Sequence, residues 1–198
     1  MRREHILDYV YREFARLGIR KVGVDDIAAG LHMSKKTLYE LFSNKEKLLL
    51  SALEHEFGKV IEAFNAFSNE NVLSIIVKSS VRLFNTVNVP NPHFYEELIS
   101  HPAAAEFVGK MKEGLLERGR CRFQQGIDEG YLRGDADYEI VGRLLNNQIM
   151  EMRQTRSDKY TPVQICYYSL IIILRGVCTA KGVEMLDSLH NSEFEELC

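Results

Sequence analysis

Apolar residues recur along this chain at helical spacing almost from its first residue. Ile6, Leu7, Val10, Phe14 and Leu17 fall on one side of a 3.6-residue repeat, and Gly18 follows where a helix commonly ends. A first helix is predicted there. After a short link, Ile27, Ala28 and Leu31 mark a two-turn helix over about residues 24–31. His32 and Met33 then make a tight turn, and Ser34 is placed to cap a third short helix over residues 35–41. Ser43-Asn44-Lys45-Glu46 has the S-x-x-E form of a capping box. It opens a longer helix with apolar positions at 48, 49, 52, 53, 57, 60, 61, 64 and 67.

The same period continues to the other end. Helices are predicted over roughly 71–88, 93–100, 103–130, 136–156, 162–180 and 183–196, separated by Pro90 and Pro92, Pro102, Gly130 with Gly134-Asp135, Pro162 and Gly182. No alternating pattern competes, so the expected fold is all-α. With 198 residues and no flexible linker or repeat, the chain accommodates a small three-helix module joined to a larger helical body. The expected division is residues 1–46 for the module and 47–198 for the body.

Composition changes this picture little. The hydrophobic share of 45% and charged share of 27% are those of a folded globular chain. The longest apolar run, Ile165 to Leu174, is far short of the roughly 18 residues that span a bilayer, so it reads as a buried helix. The first residues mix charge with apolar side chains, so no export signal or membrane contact is expected. Four cysteines without CxxC pairing fit reduced thiols and a cytoplasmic protein. Cys121, between Arg120 and Arg122, has the surroundings of a redox-sensitive thiol, but an incidental helix cysteine fits as well.

Charge is more informative in its distribution than in its total. The net charge is −3, yet residues 1–50 hold ten Lys/Arg against seven Asp/Glu, which leaves the remainder at −6. Local positive charge on a docking face is what phosphate contact requires. Two short helices, a tight turn, a serine cap and two lysines are the parts of a DNA-reading helix-turn-helix. A helix entering the major groove offers its N-terminal side chains to base edges, here Lys35, Lys36 and Thr37, with Tyr39 one turn along. Leu38 and Phe42 face inward. Taken singly, the lysines also fit a solvated helix face and Tyr39 a half-buried core edge.

Ile27-Ala28, Met33-Ser34-Lys35-Lys36-Thr37-Leu38-Tyr39, Phe42 and Lys45-Glu46-Lys47-Leu48 together resemble the TetR family of bacterial transcriptional regulators. The resemblance covers roughly residues 5–53; the helical remainder agrees in length and order only. It implies a DNA-binding regulator, read as a repressor, that meets a palindromic double-stranded operator as a homodimer under the control of a small-molecule effector. It implies Lys35, Lys36 and Thr37 at bases or nearby phosphates, the Tyr39 hydroxyl at a phosphate, and Lys45 at another. A lysine at a helix N-terminus suits that last role, because free amides and the helix dipole favour an anion there.

Two positions depart from the family pattern. Gly23 stands where a capping Ser or Thr is usual, a change that costs only a few tenths of a kcal/mol. His32 stands where the turn glycine is usual, so a positive φ with strain of about 1 kcal/mol is expected.

In the body, the resemblance implies a dimer interface on the helices near 136–156 and 162–180, with Leu144, Leu145, Ile149 and Met152 on one and Tyr167, Leu170, Ile171 and Leu174 on the other. Aromatic and polar residues between 57 and 152 suggest an effector pocket, with Phe64, Phe84, Tyr95, Phe107, Met111 and Gln148 as candidates. Each aromatic taken singly fits the core equally well.

Two rival classes compete with this reading. The six histidines give no HExxH spacing, and no GxSxG, P-loop or dinucleotide glycine pattern is present, so no enzyme, metal or cofactor is expected. His93 with Glu96 and Glu97 reads as a solvated cluster before it reads as a metal site. A protein-interaction module of the same fold is the other rival, and Lys35, Lys36 and Lys45 weigh against it.

Overall fold

The computed structural model describes residues 3–66, 70–87, 91, 93–151 and 159–197. Ten helices are described: α1 (Arg3–Leu17), α2 (Val24–Gly30), α3 (Lys35–Phe42), α4 (Lys45–Ala66), α5 (Val72–Val87), α6 (Phe94–Ile99), α7 (Pro102–Asp128), α8 (Tyr138–Glu151), α9 (Pro162–Val177) and α10 (Ala180–Leu197). The all-α class is as expected. Among the described residues no helix is long and apolar enough to cross a membrane.

The chain divides into two compact units, Met1–Ile61 with Val89–Lys112, and Glu62–Asn88 with Glu113–Cys198. In the first, α1 buries Ile6, Leu7, Val10, Tyr11, Phe14 and Ala15, the face its spacing predicts. Gly18 ends the helix at φ +96° with its amide on the Phe14 carbonyl, a left-handed cap that a side chain resists. Leu48, Leu49, Ala52, Leu53, Phe57 and Val60 of α4 are buried in the same unit. Residues 91–107 join it through contacts that include the Glu97 carboxylate, which accepts from the Arg20 amide at 3.0 Å. Phe94 meets Tyr11 edge to face at 5.8 Å, Phe107 meets Phe57 at 6.0 Å, and the Asn91 amide donates to the Ala15 carbonyl at 3.1 Å.

Polar ties add to this packing. Asp8 of α1 accepts from Lys59 of α4 at 2.5 Å and bonds His55 at 2.8 Å. Burial alone raises the Asp8 pKa, but the hydrogen bonds and charges of Lys59 and His55 outweigh it and hold the carboxyl below its ordinary value. Its stabilising contribution is therefore present above the ordinary carboxyl range and is lost as pH falls through the lowered folded value. Because Asp8 is 46% exposed, screening leaves about 1 kcal/mol or less. Thermal melts of the wild type are expected to lose slightly more stability below about pH 4 than those of Asp8→Asn.

The second unit is built around α9. Thr161 caps it with a full capping box, since Gln164 donates to the Thr161 hydroxyl and accepts from the Thr161 amide, and Pro162 sits in the first turn. Tyr167, Leu170, Ile171 and Leu174 of α9 pack with Val72, Leu73, Ile76, Val77 and Val81 of α5, Val141 of α8, and Leu186 and Leu189 of α10. Each fully buried aliphatic side chain contributes roughly 1.5–3 kcal/mol.

The link after α7 runs against the end of α9. Leu132 pairs with Cys178, the Arg133 amide donates to the Val177 carbonyl, and the Thr179 amide donates to the Tyr131 carbonyl. Gly182 in the first turn of α10 leaves room for that backbone, because a β-carbon there would overlap the Tyr131 carbonyl oxygen. Gly182→Ala is expected to destabilise the second unit by about 2 kcal/mol, read as a lowered denaturation midpoint in urea with an unchanged slope.

Candidate nucleic-acid interface

The short helices α2 and α3 pack together inside the N-terminal unit. Ile27 and Ala28 of α2 and Leu38 and Phe42 of α3 are buried, which fixes the opposite face of α3 toward solvent. The turn between them closes through the His32 amide on the Ala29 carbonyl and the Met33 amide on the Ala28 carbonyl. His32 has φ +53°, the left-handed conformation expected of a histidine in a glycine's place. At the start of α2, Gly23 offers no side-chain cap, but the Asp26 carboxylate accepts from the Gly23 amide at 2.8 Å.

Ser34 caps α3 as its sequence position predicts. Its hydroxyl oxygen accepts from the Thr37 amide at 3.0 Å and lies 2.8 Å from the Thr37 hydroxyl. Ser43 does not cap α4. It takes φ +64°, with its amide on the Tyr39 carbonyl, and Asn44 supplies the cap instead, its side-chain oxygen accepting from the Lys47 amide at 2.8 Å. The positive φ of Ser43 takes it out of the extended conformation that an N-cap uses, whereas the asparagine one residue later has a side-chain oxygen within reach of the Lys47 amide.

Lys35, Lys36, Thr37 and Tyr39 all lie on the exposed face of α3. The Lys35 ammonium donates to the Asp25 carboxylate across the two helices at 2.9 Å, and this contact raises its pKa. Lys36 lies 4.0 Å from Glu40 one turn along. Tyr39 is 39% exposed, so its ring is neither core nor free of it. Lys45 is placed differently. Its ammonium turns inward, donates to the Ile19 carbonyl at 2.6 Å and lies 5.7 Å from the centre of the Phe14 ring. Burial pushes its pKa down against the opposing charges of Glu97 and Asp26.

The described effector candidates fall in both units. Phe84 is fully buried in the second unit, while Tyr95, Phe107 and Met111 belong to the first. There Tyr95 meets Phe94 at 5.2 Å and Phe107 meets Phe57, so both rings take part in that unit's packing. The side chains of Phe64 and Gln148 lie outside the described residues. A cavity of about 60 Å³ in the first unit is lined by Tyr9, Glu13, Leu17, Lys21, Val22, Asp26 and Ile27, none of them a candidate. Among the described residues no group of three His, Cys, Asp or Glu side chains is arranged to hold a metal ion.

The residues named for a dimer interface divide in the same way. Leu144 is exposed and Leu145 packs against the second unit's core, as do the buried Tyr167, Leu170, Ile171 and Leu174. The Ile149 side chain and Met152 lie outside the described residues. Among the described residues, the large apolar side chains left exposed on α8 and α9 are Ile140 and Leu144 on one helix, and Tyr168 and Ile172 on the other. Period alone did not separate these from their buried neighbours, because both faces of α9 are apolar.

An exposed helix carrying two lysines, capped by serine and docked on a second short helix through a tight turn, defines a helix-turn-helix. Residues 6–52 match the sequence model of the bacterial regulatory proteins, tetR family. The chain is thus similar to the TetR family over this N-terminal segment. It is 26% identical over 199 aligned residues to the HTH-type transcriptional repressor KstR2 of Mycobacterium tuberculosis, covering 92% of this chain and 95% of that one. Its fold is similar to the solved structure of the ketosteroid transcriptional regulator KstR2 of M. tuberculosis, with TM-score 0.69, 23% identity, and 90% and 96% of the two chains covered. The fold is likewise similar to the transcriptional regulator FadR of Bacillus subtilis in complex with stearoyl-CoA, with TM-score 0.71, 19% identity, and 89% and 100% covered.

Proposed function

We propose that this regulator binds a palindromic DNA operator as a homodimer, represses transcription there, and is released by a small-molecule effector. The observation that carries the reading is the α3 surface: Lys35, Lys36, Thr37 and Tyr39 stand together at its exposed face while Leu38 and Phe42 anchor it from behind. Lysine ammonium groups reach guanine acceptors in the major groove, and phosphates supply the rest of the affinity. Residues 1–46 are the reading part and residues 47–198 the effector-binding and dimerising part. Lys45 joins the phosphate contacts only by leaving the Ile19 carbonyl, so its contribution is smaller than that of the α3 lysines.

Two heads are needed for a palindrome, and exposed apolar side chains on adjacent helices are what a second copy buries. Ile140 with Leu144, and Tyr168 with Ile172, each one turn apart, form that surface. The relation to a repressor across nearly the whole chain supports repression, and the fold shared with a regulator solved with stearoyl-CoA supports an organic effector in the body. The effector acts by population shift: it favours one setting of α4, changes the separation of the two heads, and so lowers operator affinity. The protein carries out no chemistry on DNA or effector, and works in the cytoplasm.

Salt dependence tests the reading. Duplex binding that neutralises several phosphates is expected to weaken about a hundred-fold or more between roughly 50 and 200 mM salt. A protein-interaction module would show no such dependence on a DNA duplex, because it would not bind one.

A further inference from the structure

The reading helix is not presented alone: its first lysine is held from the neighbouring helix. Two consecutive aspartates open α2 and divide the work. Asp26 turns back to the Gly23 amide and completes the start of its own helix. Asp25, relieved of capping, reaches across to α3, where its Oδ2 accepts from Lys35 Nζ at 2.9 Å. The side chains are 75% and 49% exposed respectively, so the pair lies open on the surface that carries Lys36 and Thr37. Among the described residues Lys36 shows no such cross-helix hold; its ion pair is with Glu40 on the same helix at 4.0 Å.

We infer that Asp25 is a specificity-determining positioning residue: it orients Lys35 toward base acceptors and penalises binding to the DNA backbone at random sequence. The inference rests on the DNA-reading function proposed above.

An ammonium has three donors, and one spent on Asp25 leaves two for the paired acceptors of a guanine edge. Holding a flexible four-carbon stem in place removes ordering that would otherwise occur on binding. Away from the operator the partner is phosphate, and there the carboxylate works against binding twice. A phosphate competes with Asp25 for the Lys35 ammonium, and the carboxylate itself repels the backbone. A fixed negative charge beside a reading lysine thus costs random sequence more than a matched site, a penalty built against the competing partner.

The test compares Asp25→Asn, Asp25→Glu and wild type for binding to a duplex enriched from a random pool and to a scrambled duplex of the same length, at one salt concentration. Asp25→Asn is expected to bind scrambled DNA about five-fold tighter with no gain at the enriched site, so that the ratio falls about five-fold. Asp25→Glu is expected to keep most of the ratio, and thermal midpoints are expected to match. In a Lys35→Met background Asp25→Asn should lower the ratio much less, because the side chain it positions is gone and only the carboxylate's own repulsion of the backbone remains. A ratio unchanged or raised in Asp25→Asn, or one that falls equally in the Lys35→Met background, overturns the inference while the DNA-reading function stands. A wild type that enriches no sequence overturns that function, and the inference with it.

Discussion

Leu144→Glu combined with Ile172→Glu is expected to yield a monomer by light scattering and to lower affinity for a full operator about a thousand-fold. Both side chains are exposed in the chain described here, at 49% and 70%, so the substitutions remove nothing from the protomer's own core. Helix content and thermal midpoint should therefore change little beyond the loss of dimerisation itself. In the dimer, each glutamate would be buried against a second copy without a cation to meet it, which is among the costlier changes an interface can suffer. The effect on DNA follows from linkage. Two heads on one frame bind the second half-site at high effective concentration, and separating them forfeits a gain of about 10²–10⁴ without touching any DNA contact. A single half-site should lose almost nothing. A double variant that remains a dimer would move the interface away from α8 and α9.

Lys35→Ala with Lys36→Ala is expected to lower operator affinity about a hundred-fold or more, with stability unchanged within about 0.5 kcal/mol. Both side chains are exposed, and neither takes part in the Ser34 cap or in the Leu38 and Phe42 anchor. The slope of log affinity against log salt should fall by about two, one for each cation removed. Filter binding or fluorescence anisotropy across a salt series reads both effects. Equal loss of stability and affinity would instead mean that the lysines shape the head without meeting DNA.

The helix-turn-helix was legible in the sequence because its determinants are local. Gly18 as a left-handed stop, Ser34 as a cap, His32 at positive φ, and Leu38 with Phe42 as the inward face each depend on a few neighbouring residues. The cap of α4 was read one position early, since S-x-x-E matches the capping pattern whichever residue leads it, and only the backbone of Ser43 excludes it. Lys45 looked like a phosphate clamp from its place at a helix N-terminus, but the carbonyl of Ile19, remote in sequence, holds its ammonium. The cross-helix hold of Asp25 on Lys35 was invisible for the same reason. The apolar run of α9 was legible as a buried helix, but spacing could not say that Tyr167, Leu170, Ile171 and Leu174, expected at a dimer interface, are buried in the protomer's core while Tyr168 and Ile172 stay outside. Residues 89–112 join the N-terminal unit through Asn91, Phe94 and Phe107, contacts that no local pattern announces.

Selection of bound duplexes from a random DNA pool by the intact protein decides whether α3 reads an operator as one of a pair. An inverted repeat is expected, with half-sites centred about one or two helical turns apart, roughly 10 or 21 base pairs. Recovery of no enriched sequence, or of one unrepeated half-site, would contradict that expectation.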